Sequence, residues 1–414
     1  MLKRVPGTKD ILPIEVSHWQ KIEEISRKIF SLYNYQEIRT PAIEDIAVYS
    51  RSLGESTEII QKQMFLIRNN EDTYVLRPEG TASVVRAYIE NNLDKAGGTV
   101  KFYYIGPMFR LERPQKGRLR QFHHIGAEVF GSTDPKIDIE IISLADRLLD
   151  EFDISGYEIV INSLGCAEDK KKLTSIIHGA FRNKLNDFCS DCKRRFETNV
   201  LRILDCKNEV CQNVIRKLSL QQDGHLCSDC REHFAQVKNG LNALKIEYRL
   251  NPYLVRGLDY YTRTVFEIKH KDLGAQDALG AGGRYDNLVK ELGGPDVSAI
   301  GFAFGIERLL LVHSPQPTAH SQDLVYIIPL GEEAEKEGLK LVDSLRKAGI
   351  SSDTDYENKS LKGAMRRAND LGARTVLIIG EDELKKNVVT LKDMGSGEQK
   401  EIKQENLIKE LKNI

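Results

Sequence analysis

The chain has 414 residues, too many for one ordinary core, so two or three domains are expected. Apolar residues make up 41% and charged residues 29%, which suits globular cores, and no apolar run approaches the roughly 20 residues of a membrane span. The net charge of −1 excludes a wholly basic, histone-like binder but leaves room for local cationic patches. MLKRVPGTKDILP at the N-terminus lacks a signal peptide's apolar stretch, so the expected setting is cytoplasmic, with no membrane partner.

Ser17 to Tyr33 reads as an amphipathic helix, with Trp19, Ile22, Ile25, Ile29 and Phe30 near helical spacing and Ser17 with Gln20 as a capping box. YQEIRTPAIED follows, where Pro41 rules out a continuing helix and a strand ending at the proline is expected. Thr73 to Arg77 is a short strand, and Pro78-Glu79-Gly80-Thr81 turns into a helix over Thr81–Asn91. Lys101 to Ile105 is strand-like, with Ala127 to Phe130 as its returning partner, so the residues between form a hairpin arm. Val265–Lys269 and Gly301–Phe304 add strands. This pattern predicts a mixed, mostly antiparallel sheet with helices around it.

Residues 166–245 are polar, cysteine-containing and mainly helical, and read as an insertion. A Ser-, Pro- and His-rich linker spans His313 to Gln322. Beyond it come a buried strand over Leu324–Leu330, a helix over Glu332–Ala348 closed by Gly349, a helix over Leu361–Leu371 and a strand over Thr375–Ile379. This rhythm indicates a separate small α/β domain.

The chemistry concentrates in Gly106 to Gly131. Arg110, Arg113, Lys116, Arg118 and Arg120 place five cations in the arm, opposed only by Glu112, and Pro114 and Gly117 prevent regular structure at its tip. Planar guanidinium groups bind phosphate oxygens through paired hydrogen bonds, so the arm suits a triphosphate or a nucleic-acid end. A solvated charged loop is the plain alternative.

FRLERPQKGRLRQFHHIGAE resembles motif 2 of the class II aminoacyl-tRNA synthetases in its histidyl form. GFAFGIERLLL resembles motif 3, and TPAIED the weak motif 1. LVRGLDYYTRTVFE, ALGAGGRYDNL, PGTKD and LRPEGT resemble segments of the histidyl-tRNA synthetase family in particular. The similarity runs over nearly the whole chain.

The resemblance implies an α+β fold: a six- or seven-stranded antiparallel class II catalytic sheet with flanking helices, a helical insertion domain and a C-terminal α/β anticodon-binding domain. The corresponding domains are 1–165 and 246–315 for the catalytic parts, 166–245 for the insertion and 323–414 for the anticodon-binding domain. It also implies a homodimer through motif 1, with L-histidine, ATP and tRNA(His) as partners and Mg²⁺ accompanying ATP.

By the same resemblance, Arg110 and Arg256 are catalytic, facing the ATP α-phosphate from opposite sides. Arg308 holds the γ-phosphate end, while Glu112 and Arg118 fit the adenine and triphosphate contacts. Histidine would be bound by Glu79, Gly80 and Thr81 at its amino group, by Glu128 and Tyr261 at the imidazole, and by Arg256, Tyr260 and His124. Gly282 and Gly283 would let backbone approach the substrate. His124 stands where the family usually has glutamine, which puts that one contact in question. The loop Arg113–Gln115 lies where the family reads the tRNA acceptor end. Lys362, Arg366 and Arg367 are candidates for anticodon-side phosphate contacts, or simply a solvated helix face.

Six of the seven cysteines fall between Cys189 and Cys230. Cys189-x-x-Cys192 and Cys227-x-x-Cys230 could supply four thiolates to a structural zinc, with Cys206 and Cys211 able to replace a ligand. Reduced thiols packed as small apolar groups are the alternative. Two rival functions share the fold: a non-catalytic regulatory paralogue and a class II enzyme for another amino acid, such as proline or glycine. Retention of Arg110, Arg256, Arg308 and a C-terminal domain speaks against the first, and RGLDYY against the second.

Overall fold

The structure is a computed structural model that describes residues 2–53, 59–69, 72–113, 117–218, 220–274, 277–313 and 324–413. They form two compact units, one within Met1–Pro315 and the other within Gln316–Ile414.

The first unit is organised by an eight-stranded sheet in the order Gln36–Glu37, Val100–Phe109, Gln121–Phe130, Ala299–Gly305, Ala278–Arg284, Thr262–His270, Tyr157–Ser163, Arg249–Leu250. The six inner strands are antiparallel throughout. The two-residue outermost strands pair in parallel, which accounts for the difference from the expected six or seven. One face is covered by Pro13–Leu32 and Pro135–Glu151, with Ile29, Ile141, Leu148 and Phe266 in a shared core. The other face packs under Thr81–Glu90 and the helices that follow Ser163, around Tyr49, Val85, Phe130, Val265 and Tyr285.

Two boundaries differ from the sequence reading for physical reasons. The first helix begins at Pro13, where a residue without an N–H suits the first turn. Ser17 therefore lies inside the helix, its hydroxyl donating to the Ile14 carbonyl at 2.9 Å, and does not cap it. The hairpin arm is shorter than expected, because the two strands stay paired out to Phe109 and Gln121.

The described residues between 167 and 243 hold four α-helices, the first three linked through 3₁₀ segments. The last, Ser228–Ala243, inserts Phe234, Val237 and Leu241 into the core beneath the sheet. Its His233 lies 3.1 Å from fully buried Asp138, which also takes two close contacts from Arg284 at 2.8 and 2.6 Å. The paired cation and imidazole hold the Asp138 carboxyl below its usual range despite burial.

The second unit has a five-stranded sheet in the order Ser352–Thr354, Val325–Pro329, Thr375–Ile379, Val388–Asp393, Gln399–Lys403. The first three strands are parallel and the last two antiparallel. Glu332–Lys347 and Leu361–Asp370 pack on it through Leu341, Leu345, Ala364 and Ala368. Gly349 takes φ +79° just past the first of these helices, as its reading as a helix stop requires. Of the linker read at 313–322, only His313 lies within the described residues.

Candidate active site

Guanidinium groups from three distant segments meet at one edge of the large sheet. Arg110 leaves the end of the strand Val100–Phe109, donates from Nε to the Pro78 carbonyl at 2.9 Å and lies 5.2 Å over the Phe122 ring. Glu112 bridges it to Arg118, with separations of 3.9 and 3.2 Å. Arg308 projects from the helix Ile306–Val312, and its Nε donates to the Gly117 carbonyl at 3.1 Å. A second guanidinium nitrogen reaches the Ala278 carbonyl. Burial, then Arg118 and Arg110, press the Arg308 pKa down, while Glu112 and Glu267 oppose them. Glu267 is the partner of Arg256, at 2.6 Å. Burial acts against the Arg256 cation, yet the Glu267 carboxylate raises its pKa. Arg110, Arg118, Arg256 and Arg308 thus share one field, tied by two carboxylates.

Beside this cationic edge lies a floor without net cation. Glu128 is fully buried and accepts hydrogen bonds from Thr81 Oγ1 at 2.7 Å, Tyr104 at 3.3 Å and Tyr285. Burial outweighs these donors and pushes its pKa up to about 8. Glu79, also buried, accepts the backbone N–H groups of Thr81 and Ala82 at 2.7 and 2.9 Å. It thereby caps the helix Thr81–Glu90, and burial raises its pKa too. Gly80 is obligatory here, because a Cβ would stand 2.4 Å from the Tyr104 ring. Tyr260 packs on Tyr261 at 4.7 Å and on Tyr285 at 5.6 Å between ring centres. Burial drives the Tyr261 phenol up to about 12, so it stays a neutral donor.

His124 faces the gap between the two regions. Burial, then Arg110 and Arg308, push its pKa down to about 3, so the ring is neutral, and its Nδ1 has no hydrogen-bond partner. Next to it, His123 is held by Glu307 at 3.0 Å from both its backbone N and its Nδ1.

A family model described as histidyl-tRNA synthetase matches residues 7–309, and one described as anticodon binding domain matches residues 324–414. The chain belongs to the histidyl-tRNA synthetase family. It is 44% identical over 419 residues to the histidine--tRNA ligase of Natranaerobius thermophilus, with both chains fully covered. It is 47% identical over 397 residues to that of Thermodesulfovibrio yellowstonii, covering 95% of this chain and 94% of the relative. The apo histidyl-tRNA synthetase of S. aureus superposes with a TM-score of 0.83 at 34% identity, over the whole of both chains. A Bacillus halodurans structure titled as an ATP phosphoribosyltransferase regulatory subunit/histidyl-tRNA synthetase shares the fold, at a TM-score of 0.67 and 20% identity. It covers 92% of this chain and 98% of its own.

Of the residues singled out from sequence, Arg110, Glu112, Arg118, Arg256 and Arg308 gather at the cationic edge. Glu79, Gly80, Thr81, Glu128, Tyr260 and Tyr261 form the floor, and His124 stands between. Arg113 is exposed at the start of the arm's tip, while Gln115 lies outside the described residues. Gly282 and Gly283 have a structural reason of their own, beside the substrate approach expected of them. A Cβ on Gly282 would meet the Gly301 carbonyl at 2.3 Å, and one on Gly283 the Thr264 carbonyl at 2.6 Å. They let neighbouring strands close up, which is reason enough for glycine there. Four further contributors escaped the sequence reading: Tyr104, Tyr285, Glu267 and Arg77. Arg77 donates to the carbonyls of Pro107 and Thr40, both at 2.8 Å, and so ties the Pro41 segment to the arm. Tyr285 and Glu267 sit inside the GGRYD and VFE segments, which were the available signal.

The cysteine pairing read from sequence is overturned. Cys189 and Cys192 do not join Cys227 and Cys230. Cys189, Cys192, Cys206 and Cys211 converge in one group, and Cys166, Asp169, Cys227 and Cys230 in another. Each Cys-x-x-Cys opens a different helix, Ser190–Thr198 or Ser228–Ala243, and each helix packs against other neighbours. In the second unit, Lys362, Arg366 and Arg367 are exposed on the helix Leu361–Asp370.

Proposed function

We propose that this chain activates L-histidine with ATP to histidyl-adenylate, releasing diphosphate, and transfers the histidine to the 3′ end of tRNA(His). One observation carries the reading: in a chain of this family, arginines from three segments meet beside a buried carboxylate–tyrosine floor. The histidine carboxylate is already an anion, so its in-line attack on the α-phosphorus needs no side-chain base. The demand on the protein is alignment and neutralisation of charge growing on phosphate. Arg110 and Arg256 meet the α-phosphate from opposite sides, Arg308 the γ end, and Glu112 with Arg118 the adenine and triphosphate.

The amino group of histidine goes to Glu79, Gly80 and Thr81, since each Glu79 oxygen keeps a second lone pair after capping the helix. Glu128, Tyr260, Tyr261 and His124 surround the imidazole. A floor built for hydrogen bonding rejects apolar analogues strongly. Mg²⁺ would arrive with ATP, held mainly by phosphate and water. Glu112 and Glu267 are the carboxylates beside these arginines, and both are already paired with guanidinium groups.

For tRNA, the Arg113–Gln115 loop would meet the acceptor end, and exposed Lys362, Arg366 and Arg367 support phosphate contacts near the anticodon. A homodimer is the proposed assembly, supported by exposed Ile43, Leu66 and Ile67 on the small sheet that follows Pro41. No helix among the described residues is long and apolar enough to cross a membrane, and a cytoplasmic setting goes with this reading.

Histidine-dependent exchange between ATP and pyrophosphate is the test. Stimulation by histidine alone is expected. A flat response to histidine with a response to another amino acid would reassign the substrate, and no exchange with any amino acid would favour a non-catalytic regulatory role.

A further inference from the structure

Cys189 sits at the start of the helix Ser190–Thr198 and Cys192 in its first turn. Cys206 ends the 3₁₀ segment Val200–Asp205, and Cys211 lies in the helix Glu209–Arg216. All four Sγ atoms lie within 4.8 Å of one another, and those of Cys189 and Cys206 are 3.9 Å apart. That is far beyond the roughly 2.05 Å of a disulfide, and all four cysteines are free. A zinc ion about 2.3 Å from each of four tetrahedral thiolates places its sulfurs about 3.8 Å apart. Packing of small apolar side chains accounts for the burial of Cys192, Cys206 and Cys211 but does not require four mutually adjacent sulfurs. The Cys189 N–H donates to Cys211 Sγ at 3.3 Å, an outer contact of the kind that steadies a thiolate.

We propose that Cys189, Cys192, Cys206 and Cys211 bind one structural Zn²⁺ per chain. On binding, four thiols release four protons, no electron is transferred, and the centre carries two negative charges. Lys193, Arg194, Arg195 and Lys207 flank the ligands in sequence, although Arg194 and Lys207 are already paired with Asp191 and Asp205. Four protein ligands leave no open coordination position, so the ion is structural. The second group differs. Asp169 already accepts the backbone N–H groups of Cys227 and Cys166, at 2.9 and 3.3 Å, which leaves three thiols and an engaged carboxylate.

The metal would clamp both ends of a functional brace. Between Cys192 and Cys206, the chain forms one wall of a cavity of about 690 Å³ that Arg256 and Tyr260 also line. From that wall Asn199 donates to Asp259 at 2.7 Å and Arg202 to the Gly257 carbonyl at 3.1 Å, holding the loop of Arg256. This bracing role rests on the proposed function, whereas the metal site does not.

Protein purified without chelators should carry about one zinc per chain, and Cys192→Ser with Cys211→Ser should remove one equivalent. Cys227→Ser with Cys230→Ser should leave it. A parent with under about 0.2 zinc, or zinc lost only from the second variant, would overturn the site. X-ray absorption on the parent protein needs no variant: a first shell of four sulfurs at about 2.3 Å is expected, and an oxygen ligand would overturn the assignment. Metal-free protein that remains folded should lose roughly tenfold or more of its histidine-dependent exchange. Unchanged exchange would remove the brace and leave the site, while a parent without any exchange would count against the functional reading alone.

Discussion

The arginine edge and the carboxylate–tyrosine floor meet at His124, yet they are satisfied in opposite ways. Arg110, Arg118 and Arg256 rest against carboxylates, and each of these pairs can give way to phosphate oxygens. On the floor, Glu128, Thr81, Tyr104 and Tyr285 satisfy one another out of contact with solvent. The difference separates two tasks. On the proposed function, charge that would respond to a reacting phosphate sits where its partners can be exchanged, and groups that would tell imidazole from other rings sit in fixed hydrogen bonds. Substitutions at the edge should therefore change rate, and those on the floor should change affinity for histidine.

The sharpest way to break this division is Arg256→Ala. Single-turnover adenylate formation should fall by about 10²–10³, the usual cost of one preorganised donor at developing charge. Arg256 is also among the expected histidine contacts, so the KM for histidine should rise too, but by less than the rate falls, because Glu128 and Tyr285 are untouched. A rate within about threefold of the parent would take Arg256 out of the reaction.

Glu128→Gln tests the floor. The KM for histidine should rise by about 10-fold, with a smaller change in kcat, since the amide cannot reproduce every hydrogen bond that the buried carboxyl makes. Stability gives an independent reading. The glutamate ionises near 4.5 in the unfolded chain and near 8 in the folded, ligand-free protein, with burial as the main cause. Between those values the folded chain holds the extra proton, so its stability falls as pH rises through that window. Thermal midpoints of the ligand-free parent should decline across it, and those of Glu128→Gln should decline less. Parallel curves for the two proteins would show that Glu128 is ionised in the fold.

How much of this was legible in the sequence depends on the range of the interaction concerned. Thr375–Ile379 was readable to the residue, because an apolar β-branched run bounded by polar residues and glycine is a local signal. The arginines were readable because the motifs around Arg110, Arg256 and Arg308 carry them. Other features depend on partners far along the chain. Polar Gln121 and His123 gave no strand signal, yet they pair with Phe109 and Pro107 across the arm. Tyr104 looked like one more strand aromatic, and only the fold brings it to Glu128. The cysteines misled because two identical Cys-x-x-Cys spacings look like mates. The turn through Val200–Asp205 instead delivers Cys206 to the first pair.

The smallest effect is expected where edge and floor touch. The pKa of His124, pushed down to about 3, keeps the ring neutral wherever the enzyme would be assayed. A neutral imidazole with a free Nδ1 can donate or accept one hydrogen bond there, and a glutamine amide can supply either kind as well, with a different reach. His124→Gln should leave kcat/KM within about threefold of the parent. The pH–rate curves of the two proteins should keep the same shape between about pH 6 and 8. An inflection near the usual histidine value of about 6.5 that vanished in the variant would mean that His124 carries charge in the working enzyme. Arg110 and Arg308 would then have to stand farther from it than they do here, and the edge would lose its hold on the floor.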